Sequence, residues 1–99
     1  MARFGVFVMD QQRRTVRFFG CVQGVGFRYT ARQIAGSYNI AGYIRNLSDG
    51  SVESVIEGSK PEIDAFLADL SGRMTGYIDR TNQQTADYVG EFSDFTVKF

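Results

Sequence analysis

Between a run rich in β-branched and aromatic residues, Thr15 to Val22, and an apolar helical pattern that starts at Phe27, the chain reads Gly20, Cys21, Val22, Gln23, Gly24, Val25, Gly26, Phe27, Arg28. This stretch forces a strand to turn sharply and become a helix. Glycine accepts positive φ at little steric cost, so the backbone can curl there and point successive N–H groups at a common centre. The first N–H groups of a helix have no intrahelical acceptor and carry the positive end of its dipole. Arg28 adds a planar fork that stays charged. The pattern predicts an anion cradle made from the backbone of Val22, Gln23, Gly24, Val25 and Gly26 together with the Arg28 side chain. A tight strand-to-helix turn carrying an exposed arginine is the plainer alternative, and spacing alone leaves both open.

The remaining elements follow from periodicity. Phe27, Ala31, Ile34, Ala35 and Tyr38 fall on one helical face, which predicts a first helix. Ala41 to Asn46 and Ser51 to Glu57, joined through Ser48, Asp49 and Gly50, predict an antiparallel hairpin. Ser59, Lys60, Pro61, Glu62 has the form of a capping box with proline in the first turn. Ile63, Phe66, Leu67 and Leu70 follow on one face, and Gly72 offers a stop. Thr75 to Thr81 and Phe95 to Phe99 read as strands, with 82–84 and 87–94 as loop. The order strand, helix, strand, strand, helix, strand is that of an α+β, ferredoxin-like split βαβ sandwich: an antiparallel sheet with two helices on one face.

Composition narrows the chemistry. A chain of 99 residues, 43% of them hydrophobic, has material for one core. The expectation is a single domain over 12–99 preceded by an arm, 1–11, whose pattern fits either an extra edge strand or a loose extension. Eleven basic and eleven acidic residues give a net charge of +0, which argues against nucleic acid as partner. No stretch is long enough to cross a bilayer, and the apolar run Phe4 to Met9 is too short for a secretory signal. The single cysteine, Cys21, cannot form an internal disulfide, in keeping with a cytoplasmic setting, and reads as a small buried or half-buried filler. The absence of histidine excludes imidazole-dependent nucleophiles, bases and metal ligands. One cysteine excludes a thiolate zinc cluster, and no carboxylate spacing suggests a metal site. Neither a metal nor a cofactor is expected.

Gly20 to Arg28 matches at every fixed position the signature Gly-x-Val-Gln-Gly-Val-x-Phe-Arg of the acylphosphatases. Gly42, Tyr43, Ile44, Arg45 and Asn46, with Asp49, Gly50 and Val52, resemble that family's second motif. The likeness spans roughly Thr15 to Phe99. Tyr43 stands where the family usually has tryptophan, and Phe19 differs from the residue that often precedes the loop. The resemblance implies hydrolysis of the carboxyl-phosphate bond of small acyl phosphates to a carboxylate and inorganic phosphate, without a metal. Arg28 corresponds to the phosphate-binding arginine and Asn46 to the asparagine that orients the attacking water. A monomer is expected.

Elementary chemistry agrees with those roles. Phosphoryl transfer asks a protein chiefly for positioning and charge stabilisation. A carboxylate leaves without needing a proton, so a site lacking histidine suffices for acyl phosphates and serves alkyl phosphates poorly. An asparagine amide can align water but cannot deprotonate it. Gln23 reads as an internal hydrogen-bonding residue of the loop. The spacing from Cys21 to Arg28 is one residue too long for a tyrosine-phosphatase loop, and the lysine and hydroxyl of a P-loop are missing. Two non-catalytic alternatives remain: a small-anion binder, or an RNA-binding sheet using Arg17, Phe18, Phe19 and Tyr43 as a stacking platform.

Overall fold

The computed structural model describes residues 10–99. The sequence expectations for an N-terminal arm therefore fall outside the described residues, except that Gln11 already opens the first strand. The elements are β1 (Gln11–Gly20), α1 (Phe27–Ala35), β2 (Ile40–Asn46), β3 (Val52–Ser59), α2 (Lys60–Arg73), β4 (Ile78–Asp87) and β5 (Phe95–Lys98). They form a five-stranded sheet ordered β4-β1-β3-β2-β5 with both helices packed on one face. This is the expected α+β split βαβ plan with one strand added at an edge.

Alternation decides which face the helices cover. Val16 and Phe18 of β1, Ile44 of β2, Val52 and Ile56 of β3 and Phe95 of β5 point to one side. There they meet Phe27, Ala31 and Ile34 of α1 and Ile63, Phe66, Leu67 and Leu70 of α2 in one core. Ring contacts tie the layers together: Phe18 to Phe27 at 5.0 Å between centroids and Phe66 to Phe95 at 5.5 Å. Ser59 caps α2 by accepting the Glu62 N–H, at 3.4 Å. The reciprocal half of the capping box is diverted, because the Glu62 carboxylate accepts from the Asn39 N–H at 2.7 Å. It thereby ties the start of α2 to the residue before β2.

Several boundaries depart from the sequence reading. Helix α1 stops at Ala35, and the N–H groups of Gly36, Ser37 and Tyr38 close it with short turns. Helix α2 runs through Gly72 to Arg73. Thr75, read from sequence as strand, instead donates its hydroxyl to the Ser71 and Gly72 carbonyls and finishes the helix. Strand β4 starts later than expected and continues across 82–84, read as loop, to Asp87, paired along its length with β1. Its residues after Ile78 are exposed, so it shows none of the apolar alternation that a half-buried strand must carry.

The sheet is mixed rather than wholly antiparallel, since β5 runs parallel to β2. Register explains this. Strand β4 ends opposite the start of β1, and β5 begins opposite the start of β2, at the same end of the sheet but on the other edge. A chain that leaves one edge and re-enters at the same end of the other must reverse direction relative to β4, and so runs with β2.

The connecting segment 88–94 crosses the face opposite the helices. Glu57, only 2% exposed at its side chain, anchors it by accepting the Val89 N–H at 2.7 Å, the Gly90 N–H at 3.1 Å and the Arg13 Nε–H at 3.1 Å. Arg13 also pairs with Glu91 and lies 5.1 Å from the Phe92 ring. Burial on its own would raise the Glu57 pKa. The Val89 N–H, Arg13 and the Gly90 N–H outweigh it and hold the carboxyl below its ordinary value of 4.5. A depressed folded pKa adds stability above the unfolded value, and that stability disappears as pH falls through the folded one. Glu57→Gln is therefore expected to lower unfolding free energy by about 1.5–3 kcal/mol at neutral pH. The gap to the parent protein should close in acid below the ordinary carboxyl range. Urea midpoints at pH 7 and pH 3 check this, and an equal gap at both values would count against a charged Glu57 anchor.

Candidate active site

The loop after β1 is pinned at both ends and open in the middle. Val22 is 1% exposed and Phe27 2%, both sunk in the core, whereas Gly24, Val25 and Gly26 face solvent. Between them, the Gln23 amide donates to the Leu47 carbonyl at 2.8 Å and the Ser51 carbonyl at 2.9 Å. Those carbonyls belong to the β2–β3 hairpin, where the Leu47 N–H in turn donates to Ser51 O at 2.9 Å. A single side chain therefore fastens the loop to the hairpin.

Gly24 and Gly26 both sit at φ 77°, and a Cβ at either would meet nothing within 4 Å. Their need for glycine is thus conformational, not steric crowding. Gly26 is the N-cap of α1 and provides no side-chain cap; the first turn contains no acidic residue. The first intrahelical bond is from Thr30 N–H to Gly26 O at 3.0 Å. The N–H groups of 27–29 come before it and have no carbonyl of the helix to reach.

Phe27 is held against Phe18 and fixes the rotation of α1, so Arg28, a hundred degrees further round, emerges beside the loop. Its Nη1 donates to the Lys98 carbonyl at 3.2 Å, and its guanidinium carbon lies 4.8 Å from the centroid of the Phe99 ring. Among the described residues, nothing else takes the rest of the five-donor fork. Asn46 closes β2, and among the described residues its carboxamide has no hydrogen-bond partner. Val22, Gly24, Gly26, Phe27, Arg28, Tyr29 and Asn46 line one concavity of about 170 Å³. The loop, the arginine and the asparagine singled out in the sequence therefore share a surface.

The hairpin beneath is stiffened by charge. Asp49 accepts the Ser51 N–H at 2.9 Å and the Ser51 hydroxyl at 2.5 Å, and pairs with Arg17 of β1 at 3.2 Å. The Ser51 hydroxyl, then the Ser51 N–H, hold the Asp49 carboxyl below its ordinary value, with help from Arg17. Among the described residues, no group of three or more His, Cys, Asp or Glu side chains is placed to hold a metal ion. Among the same residues, no helix is long and apolar enough to cross a membrane.

Two features escape sequence reasoning. The acceptor for Arg28 is a main-chain carbonyl in β5, and no residue type announces that. Tyr29, 69% exposed beside Arg28, was legible as an aromatic next to a cation but carried no pattern of its own. Cys21 departs from expectation. It is exposed, because the strand ends at Gly20 and the next inward position is taken by Val22.

The chain matches the Acylphosphatase family model over residues 14–97. It is 43% identical to an acylphosphatase of Paenarthrobacter aurescens over 86 residues, covering 86% of this chain and 92% of that protein. With an acylphosphatase of Actinobacillus succinogenes the identity is 42% over 93 residues, covering 91% and 99%. The crystal structure of acylphosphatase from Bacillus subtilis superposes with a TM-score of 0.78 at 26% identity, over 90% of this chain and 99% of that one. With a matching loop, a matching hairpin and a shared fold over nearly its whole described length, the chain belongs to the acylphosphatase family.

Proposed function

We propose that the chain hydrolyses acyl phosphates at the concavity formed by the loop 22–26, Arg28 and Asn46. The observation that carries this reading is the meeting of three things on one surface: a cationic fork, an uncapped helix start and an unpartnered carboxamide. The phosphoryl oxygens take the free guanidinium donors and the backbone N–H groups of the loop. Asn46 holds a water by its amide, aligned behind phosphorus. Attack forms a bond from the water oxygen to phosphorus as the bond from phosphorus to the acyl oxygen breaks, and the electron pair leaves with the carboxylate. The proton lost by the water passes to a phosphoryl oxygen or to solvent.

Alignment is the larger share of the work here, and orientation of reactants is worth several kcal/mol of barrier, on the order of 7 or more in favourable intramolecular cases. No general acid is needed for a carboxylate leaving group. The reading takes the enzyme to be a monomer in the cytoplasm acting on a small molecule, without metal or cofactor.

The RNA-platform alternative has less support. Phe18 is fully buried against Phe27. Phe19 has the Arg80 guanidinium 3.8 Å from its centroid, and Tyr43 has the Lys98 ammonium at 4.1 Å. The rings that would stack on bases are either inside or already faced by the protein's own cations. A passive anion binder has no use for an open amide beside the cradle.

Four outcomes test the proposal. Release of phosphate from benzoyl phosphate is expected to persist in excess chelator; loss on chelation with recovery on adding magnesium would overturn the metal-free scheme. Arg28→Ala should lower kcat/KM by about a thousandfold, because the charge it meets is present in ground and transition state alike. Arg28→Lys should stay down by about a hundredfold, since a point ammonium cannot reproduce the fork. Asn46→Ala should reduce kcat by about a hundredfold with KM nearly unchanged, and steady-state kinetics showing a KM effect alone would remove Asn46 from water positioning.

A further inference from the structure

Resting on that reading, we infer that Arg80 and Lys98, which stand outside the phosphate concavity, form with Arg28 the positive pole of a charge-sorted molecule and draw an anionic substrate to the loop from a distance. The net charge of the chain is +0, so a field of this kind must come from the places where charge is left uncompensated. The ion pairs identify those places.

Among the described residues, Arg13, Arg14, Arg17, Arg45, Lys60 and Arg73 each have a carboxylate at ion-pair distance, and Arg28, Arg32, Arg80 and Lys98 have none. Those without one gather around the site. Lys98 lies in register with Arg45, the residue before Asn46. Arg80 lies opposite Phe19, the residue before Gly20 and the loop. Arg32 follows Arg28 by one helical turn, about 6 Å along the axis of α1. Among the same residues, the carboxylates without a cation are Asp10, Glu62, Asp79, Asp87 and Asp94. Most of these sit at the opposite rim. Asp10 precedes β1, Asp87 faces Gln12, Asp94 precedes β5, and Glu62 accepts the N–H of the residue before β2. Asp79, beside Gly20, is the exception at the cationic rim.

Aromatic rings hold the two outlying cations in place without cancelling them. The Arg80 guanidinium carbon is 3.8 Å from the Phe19 centroid, and the Lys98 Nζ is 4.1 Å from that of Tyr43. A carboxylate partner would neutralise the charge, whereas a ring quadrupole fixes its position and leaves the full unit visible to solution. Both side chains belong to exposed residues. The poles are also well apart: from Arg80 to Asp87 is seven residues of β4, about 23 Å of strand. The screening length is about 8 Å at 0.15 M salt and about 30 Å at 0.01 M, so the field reaches a substrate in dilute buffer and fades in concentrated salt. Across roughly 10–15 Å of water, two or three strand spacings, one unit charge changes the capture of a dianion by about two- to fourfold.

Two measurements test this. The first is kcat/KM for benzoyl phosphate between about 0.01 M and 0.5 M salt in the parent protein, Arg80→Gln, Arg80→Glu, Arg80→Lys and the double variant Arg80→Gln with Lys98→Gln. Circular dichroism verifies that each folds. At the lowest salt, Arg80→Gln should lose about two- to fourfold through KM with kcat unchanged, and Arg80→Glu about the square of that factor. The double variant, which alters the Lys98 side chain and leaves its carbonyl, should lose a further factor of similar size. All should converge on the parent at the highest salt. Arg80→Lys keeps the charge and changes the contact with Phe19, so it should follow the parent's salt profile, which a role in packing alone would not allow. A parent kcat/KM that ignores salt, or variants that run parallel to the parent at every salt concentration, overturns the positive pole while leaving hydrolysis at Arg28 intact. The second is titration with inorganic phosphate at pH 8 over the same salt range. An affinity that falls with salt, and falls less steeply in Arg80→Gln, upholds the pole even if turnover is absent, in which case the hydrolytic reading alone fails. The same salt dependence in both proteins overturns the pole.

Discussion

Val22 and Phe27 are both sunk in the core, and the short segment between them has no direction left but outward. This constraint organises the rest of the site. Phe27 packs on Phe18 of β1 and so sets where α1 begins and how it is rotated. Rotation in turn decides that Arg28 emerges beside the loop and not over the core. The energy holding the arrangement is ordinary apolar burial, about 1.5–3 kcal/mol for each fully buried large side chain. The functional geometry is a by-product of where the core ends. A loop pinned at two buried anchors can keep its N–H groups convergent without bonding them to one another, which would occupy the donors that an anion requires.

Charge is handled locally in a chain with no net charge. Many of the arginines of the sheet are already engaged: Arg13 with Glu57 and Glu91, Arg14 with Asp64, Arg17 with Asp49, Arg45 with Glu53. Arg28 differs in being met by a neutral carbonyl and a ring. On the proposed reading, a carboxylate partner would compete with the phosphoryl group for the same donors. A carbonyl fixes one nitrogen and leaves the positive charge uncompensated. Placing it at the uncapped start of a helix with no acidic residue in the first turn concentrates potential at one point without a basic composition.

What could be read from the sequence was whatever leaves a trace in residue type. The glycine loop, the amphipathic faces of both helices, the Ser59 cap and the hairpin turn all do so, and the two motifs that resemble the acylphosphatases lie on them. Strand β4 leaves none, because its residues after Ile78 are exposed and apolar alternation marks only a strand with one side covered. The parallel pairing of β5 depends on which edge the segment 88–94 reaches, and that is decided by Glu57 capturing the Val89 and Gly90 N–H groups, an event between residues far apart in the chain. The Arg28 to Lys98 contact is hidden for the same reason: one partner is main chain. Gly72 misled because a glycine within a helix is tolerated at about 1 kcal/mol, and the true stop was supplied by the Thr75 hydroxyl.

Topology explains why residues so distant in sequence converge. In the split βαβ plan β1 and β2 both run antiparallel to the strand between them, β3, and hence parallel to each other; β5 joins them by pairing parallel to β2. Gly20, Asn46 and Lys98 thus end their strands at one rim of the sheet, and the loop, the carboxamide and the carbonyl that engages Arg28 all issue from carboxyl ends. This follows the rule that sites in sheets with crossover helices gather at the carboxyl ends of parallel strands. The interposed β3 opens a gap between the loop and Asn46, and the Gln23 bonds to Leu47 and Ser51 bridge it. A sheet in which β1 and β2 were neighbours would bring the two halves into direct contact and, on the proposed reading, leave no room for a phosphoryl group with water behind it. The inserted strand provides that width.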